Sequence, residues 1–141
     1  MKKIIIERLR AEIVEHIKGW RNITIDLPNP PCEPKQNAQC MHNAMNEYQA
    51  GRSFAILEVC RADIPMVHYL CVDANGDVYD PTLGYQWSGT KYKLIRYIHP
   101  NDDKYMADHL VDAKERLFHD ACSKVTKIAF KVARLDLGDI I

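Results

Sequence analysis

Two kinds of hydrophobic periodicity alternate along the chain, one typical of helices and the other of strands. Near the start, apolar residues recur every three or four positions, and Gly19 ends that pattern. A second helical segment is expected to begin near Asn37, which could cap it, and to end before Gly51. The predicted helices span about 3–18, 37–50, 102–119 and 121–134.

Strand-like patterning fills the middle of the chain. The segment SFAILEVCR is apolar on both faces and rich in strand formers, which predicts a central strand. Pro81 ends a later strand because proline cannot donate a ladder hydrogen bond. The predicted strands span 53–61, 66–73, 77–80 and 91–98. We therefore expect a single α+β domain over residues 1–141, in which helices flank an antiparallel sheet of about four strands.

The charge balance excludes several classes of function. Lysine and arginine together number 19, as do aspartate and glutamate, so the chain has no electrostatic footprint for nucleic acid or for an anionic membrane.

The first apolar run stops at Glu7, which is too short for a signal-peptide core or a membrane span. We accordingly expect a cytoplasmic protein that binds neither nucleic acid nor a membrane.

The five cysteines do not suggest a disulfide framework, because their number is odd and the expected compartment is reducing. Cys32, Cys40 and His42 lie close together in sequence, but their spacing matches no familiar zinc pattern. We predict neither a metal nor another cofactor. Three cysteines are explained as small buried apolar residues: Cys60, Cys71 and Cys122.

One cysteine has a position suited to nucleophilic chemistry. A thiol attacks as its thiolate, which both a helix N-terminus and a neighbouring imidazole favour. Cys40 lies in the first turn of the second predicted helix, where the helix dipole would stabilise negative sulfur and free N–H groups could bind an oxyanion. The rival nucleophile, Cys32, stands between Pro31 and Glu33 without a helix behind it.

The base and its orienting partner are expected on adjacent strands. His68 lies inside an apolar strand, and Asp80 ends the next one. Taken alone, His68 fits a hydrogen-bonded core histidine and Asp80 fits a strand end, but together with Cys40 they fit a catalytic triad. His42 points about 200° around the helix from Cys40 and is not expected to be the base. His119 is expected to lie in solvent.

The loop between these two strands tests the pairing. With a two-residue turn, His68 and Asp80 would point to opposite faces of the sheet. With a three-residue turn over residues 74–76, Leu70 faces Asp80, and His68 lies diagonal to Asp80 on the same face, about 7–8 Å away between Cα atoms. A three-residue hairpin favours glycine at its left-handed last position, where Gly76 stands. We therefore predict the three-residue turn.

Two segments carry a resemblance to a known family. HYLCVDANGDVYDPT (68–82) resembles the part of transglutaminase-like proteins in which the catalytic histidine strand leads through a hairpin to Asp-Pro-Thr. QCMHNAMNEY (39–48) is similar to that family's cysteine-bearing helix, in which a small residue, here Ala44, follows the cysteine. The order of elements also agrees over about a third of the chain. Two departures are Leu70, where the family often has an aromatic residue, and the lack of a glycine before the cysteine.

The resemblance implies a transglutaminase-like, papain-like core and a reaction on a protein or peptide substrate. Cys40 would attack an amide or related acyl group, His68 would take and return the proton, and Asp80 would orient His68. Three side chains could help the Cys40 backbone N–H to hold the oxyanion: Gln36, which we favour slightly, Gln39 and Asn37. Trp87 could line the substrate cleft. Two alternatives stay open: an inert binding or inhibitor protein on the same scaffold, and an unrelated α+β protein.

Overall fold

The computed structural model describes residues 1–27, 40–83, 90–98 and 106–141, which form four α-helices, a five-stranded antiparallel sheet and a short 3₁₀ helix. The helices are α1 (Lys2–Ile17), α2 (Cys40–Gln49), α3 (Met106–Ala121) and α4 (Lys124–Val132), and the 3₁₀ helix spans Leu137–Asp139. The strands are β1 (Asn22–Thr24), β2 (Ala55–Arg61), β3 (Val67–Val72), β4 (Val78–Tyr79) and β5 (Lys91–Ile98). The predicted α+β class and the antiparallel sheet are confirmed.

The helices form close to where the apolar periodicity predicts them. On α1, the buried residues recur every fourth position and make one stripe: Ile5, Leu9, Ile13 and Ile17. The last helix begins later than expected, because the Ser123 side chain caps it by accepting a hydrogen bond from the Thr126 N–H. Across the described parts of the chain, no helix combines the length and the apolar character needed to cross a membrane.

The sheet has one strand more than the sequence pattern predicts. Its strand order is β1-β5-β2-β3-β4, with antiparallel pairing throughout. The additional strand, β1, has three residues, too few to display a strand period, and it pairs with β5 far along the chain. The prediction therefore missed β1 because its stability depends on a distant partner.

The sheet curls into a half-barrel because its two edges are tied together. Just after β1, the Asp26 and Leu27 N–H groups donate to the Val78 carbonyl of β4 at 2.8 and 3.1 Å. The Val78 N–H in turn donates to Asp26 Oδ2 at 2.8 Å. The curl gives the sheet an inner and an outer face, each with its own apolar layer.

The two layers separate the residues of β2, β3 and β4 by parity, whereas on β5 a register shift opposite Glu58 and Val59 switches the parity between Tyr92 and Ile98. The inner face holds a cluster drawn from the strands and the residue after β1: Ile23, Ile25, Leu57, Val59, Leu70, Val78 and Tyr92. The outer face packs against the helices and presents these strand residues to them: Ile56, Cys60, Val67, Tyr69, Cys71, Tyr79 and Ile98. The larger core therefore lies between the outer face and the helices.

Candidate active site

The β3–β4 hairpin has the predicted three-residue turn. Cys71 pairs with Tyr79 and Val72 with Val78, which places residues 74–76 in the loop. The Asp73 N–H donates to the Asp77 carbonyl at 3.0 Å and closes the ladder. Gly76 adopts a φ of 82°, the left-handed conformation that this turn requires. The register prediction is thus confirmed.

This register puts His68 and Asp80 on the inner face, where their side chains meet. His68 Nε2 lies 2.8 Å from Asp80 Oδ2, and the two residues are 2% and 0% exposed. The other carboxylate oxygen, Oδ1, accepts hydrogen bonds from the Thr82 and Leu83 N–H groups at 2.8 and 3.0 Å. The Asp80 carboxylate is therefore held by the turn that follows β4, and it fixes the orientation of the imidazole.

Cys40 is the first residue of α2 and is partly buried. Burial by itself lowers the pKa of His68, but hydrogen bonds and charges from Asp80 and Cys40 outweigh burial and raise that pKa from 6.5 to about 9. Because Asp80 occupies Nε2, the nitrogen left for the Cys40 thiol is Nδ1. The structure thus brings the three predicted residues together, with the imidazole between the thiol and the carboxylate.

The charge of Cys40 influences residues that project from both faces of the sheet. Its negative charge raises the pKa of Tyr69, which projects from the outer face of β3, after the larger effects of burial and of Glu58. The same sulfur acts on His68, which projects from the inner face.

A hydrogen bond ties the helix of Cys40 to the turn of Asp80. Asn43 Nδ2 donates to Thr82 Oγ1 at 3.1 Å, and both residues are buried. Farther along α2, the Tyr79 hydroxyl donates to Glu47 Oε1 at 3.0 Å. Both contacts were missed in the sequence analysis, because the sequence around a buried asparagine or glutamate in a helix does not indicate which distant residue it will bond.

Tyr92 of β5 is a further residue that the sequence pattern did not single out. Its ring stacks on the His68 imidazole with 5.7 Å between centroids and 20° between planes. Burial, followed by the charge of Asp80, raises the pKa of Tyr92. Among the described residues, its buried hydroxyl has no hydrogen-bond partner. Tyr92 therefore covers one face of the His68 imidazole on the inner side of the half-barrel.

Three further cysteines and His119 lie as the sequence predicts. Cys60, Cys71 and Cys122 are buried, and burial raises the pKa of Cys60 to about 12 and that of Cys122 to about 11. His42 and His119 are exposed. Over the described ranges, no group of three or more His, Cys, Asp or Glu side chains is arranged to hold a metal ion.

Several predicted site residues lie outside the described residues. These are the rival nucleophile Cys32, the oxyanion candidates Gln36, Asn37 and Gln39, and the cleft residue Trp87. Their roles stay predictions. Comparisons of the chain with protein-family models, with curated proteins and with solved structures gave no match. The transglutaminase-like resemblance accordingly rests on the residues that carry it.

Proposed function

We propose that the protein is a cysteine-dependent hydrolase or acyltransferase that acts on an amide bond through Cys40, His68 and Asp80. The observation that carries the proposal is the buried hydrogen bond of 2.8 Å between His68 and Asp80. A hydrogen bond and the charge of Cys40 also raise the pKa of the same imidazole. A nucleophile, a base and a group that orients the base are the parts that covalent acyl transfer requires.

The proposed reaction begins with attack of the Cys40 sulfur on the carbonyl carbon. The imidazole of His68 carries a proton at neutral pH, since its pKa is raised to about 9. When the tetrahedral intermediate collapses, His68 gives this proton to the leaving amine and the carbon–nitrogen bond breaks, which leaves a thioester on Cys40. Water or an amine then attacks the thioester while His68 takes up its proton, and the Cys40 thiolate leaves.

The position of Cys40 supports its role as the nucleophile. The sulfur stands at the N-terminal end of α2, where the helix dipole favours negative charge. We propose that backbone N–H groups of the first turn hold the oxyanion, that Gln36 or Gln39 assists them and that Trp87 lines the cleft. A transglutaminase-like core, a protein or peptide substrate and a cytoplasmic location complete the proposal.

The first experiment measures how fast each cysteine reacts with iodoacetamide at about pH 6, read by mass spectrometry, because only a stabilised thiolate reacts there. Cys40 should react far faster than Cys60 and Cys122, whose raised pKa values keep them protonated. His68→Ala should slow Cys40. His42→Ala is the matched control, since His42 lies two residues from Cys40 and is exposed. Equal, slow labelling of all cysteines would reject the proposal.

A second experiment separates catalysis from an inert scaffold. Glutamine-containing peptides are incubated with the protein, and ammonia release is measured with and without hydroxylamine, which converts a thioester into a hydroxamate. An acyl-enzyme should yield hydroxamate in the wild-type protein and none in Cys40→Ser. A reactive Cys40 without any amide turnover across a peptide library would instead support the inert binding protein.

A further inference from the structure

Buried hydrogen bonds near each end of α2 fasten this helix to the chain around β4. Near the start, Asn43 Nδ2 donates to Thr82 Oγ1 at 3.1 Å. Near the end, the Tyr79 hydroxyl donates to Glu47 Oε1 at 3.0 Å. Both bonds are buried, so both contribute to holding the helix on the sheet. They differ in their distance from Cys40, because only the first is within one helical turn of it.

The bond near the start closes a ring of contacts around the triad. Asn43 follows Cys40 by three residues and therefore lies on the same side of α2, one turn farther along. Thr82, the acceptor, also donates its N–H to Asp80 Oδ1 at 2.8 Å. Asp80 in turn holds His68 at 2.8 Å, and the imidazole faces Cys40. A displacement of Thr82 would thus move the nucleophile and the base relative to each other.

We propose that Asn43 and Thr82 are positioning residues whose hydrogen bond sets the separation between Cys40 Sγ and His68 Nδ1. The inference rests on the proposed function, because it assigns these residues to the same site. The backbone N–H of Thr82 holds the Asp80 carboxylate, and its side chain holds α2, the helix that carries Cys40. A single residue therefore aligns both ends of the triad. Small displacements matter here, since a shift of about 1 Å can change a rate about 10²-fold.

The test compares substitutions that remove the bond with one that keeps it. Thr82→Val has nearly the same shape but lacks the hydroxyl, and Thr82→Ser retains it. The readout is the rate of Cys40 alkylation by iodoacetamide between about pH 5 and pH 9, a range in which a stabilised thiolate reacts before an ordinary thiol. Thr82→Val should slow the reaction about tenfold or more at pH 6 and shift the profile to higher pH. Thr82→Ser should behave as the wild-type protein does.

Tyr79→Phe is the matched control for a purely structural effect. It removes a second buried bond between α2 and the β4 segment, and its contact with Glu47 lies two helical turns from Cys40. Its stability to urea should fall about as much as that of Thr82→Val, but its alkylation profile should stay unchanged. If both variants shift the profile equally, the Asn43–Thr82 bond has no special role and the inference is wrong.

Asn43→Ala removes the same bond from the donor side and keeps the inference testable if Thr82→Val folds poorly; where both fold, a double-mutant cycle adds a further test. Asn43→Ala and Thr82→Val should each slow Cys40, and the double variant should be no slower than the more impaired single variant. Multiplied effects would show that the two residues act independently and would overturn the inference. The wild-type alkylation profile distinguishes the two proposals. An unreactive Cys40 in the wild-type protein refutes the proposed function. A reactive Cys40 whose alkylation profile is unchanged by Thr82→Val refutes only this inference.

Discussion

An Asp80→Asn substitution should convert His68 from a protonated imidazole to a largely neutral one at pH 7. The asparagine oxygen can keep the hydrogen bonds from the Thr82 and Leu83 N–H groups, which turns its NH₂ group toward His68 Nε2. A donor in that place requires Nε2 to accept, so the neutral ring carries its proton on Nδ1. That nitrogen faces Cys40 and can then no longer take a proton from the thiol.

The size of the effect follows from the two opposing influences on His68. Burial is the largest single influence and lowers the pKa, while Asp80 and Cys40 together raise it to about 9. The difference from 6.5 corresponds to roughly 3 kcal/mol in favour of the imidazolium, at about 1.4 kcal/mol per pH unit. Without the Asp80 charge we expect a pKa near or below 6.5, so the protonated fraction at pH 7 should fall from about 99% to about a quarter or less.

The assay is an NMR titration of the His68 ring signals, with Cys40 alkylation at pH 7 measured on the same samples. The wild-type ring should titrate near pH 9 as part of a coupled pair, and the variant near pH 6.5 or lower. Alkylation of Cys40 should slow in parallel. Asp77→Asn is the control, because it removes the same charge from the same hairpin outside the His68–Asp80 pair. A variant ring that still titrates near pH 9 would refute the reasoning.

Two further substitutions test the supports of the site. Gly76→Ala should lower the free energy of unfolding by about 1 kcal/mol in urea denaturation, because its φ of 82° is strained for alanine while nothing within 4 Å would contact the new methyl group. An unchanged unfolding midpoint would contradict the predicted turn geometry. Glu47→Gln should lower the free energy of unfolding by about 2 kcal/mol in the same assay, because the fully buried carboxylate accepts hydrogen bonds from Arg52 and from Tyr79. The control is Glu7→Gln at an exposed position. If Glu47→Gln costs less than this control, the carboxylate of Glu47 does not stabilise the fold.

The parts of the site that the sequence could predict are those set by local rules. Alternation of side chains along β3 and the left-handed residue of its turn, Gly76, determine which side chains share a face. From these two rules the pairing of His68 with Asp80 follows without any knowledge of the rest of the fold. The placement of Cys40 near a helix start also follows from a local rule, because the helical periodicity of the sequence begins just before it.

The parts that could not be predicted depend on contacts between distant segments. The stacking of Tyr92 on His68 requires β5 to lie beside β2, which no property of the β5 sequence specifies. The Asn43–Thr82 bond joins residues 39 positions apart. The curl arises because Val78 meets the residues after β1, and a three-residue strand gives no periodic signal of its own.

The short length of β4 suits the proposal that a nucleophile on a helix of the outer face reaches a base on the inner face. The helix α2 packs on the outer face through Ala44, whereas His68 projects inward beside Val59. A β4 that continued in register would place Thr82 opposite His68 and cover that edge of β3. Instead β4 ends at Tyr79, and Pro81 turns the chain away because it cannot donate to the ladder. β4 therefore does not cover the edge of β3 at His68, and the Thr82 side chain instead accepts a hydrogen bond from Asn43 of the helix that begins with Cys40.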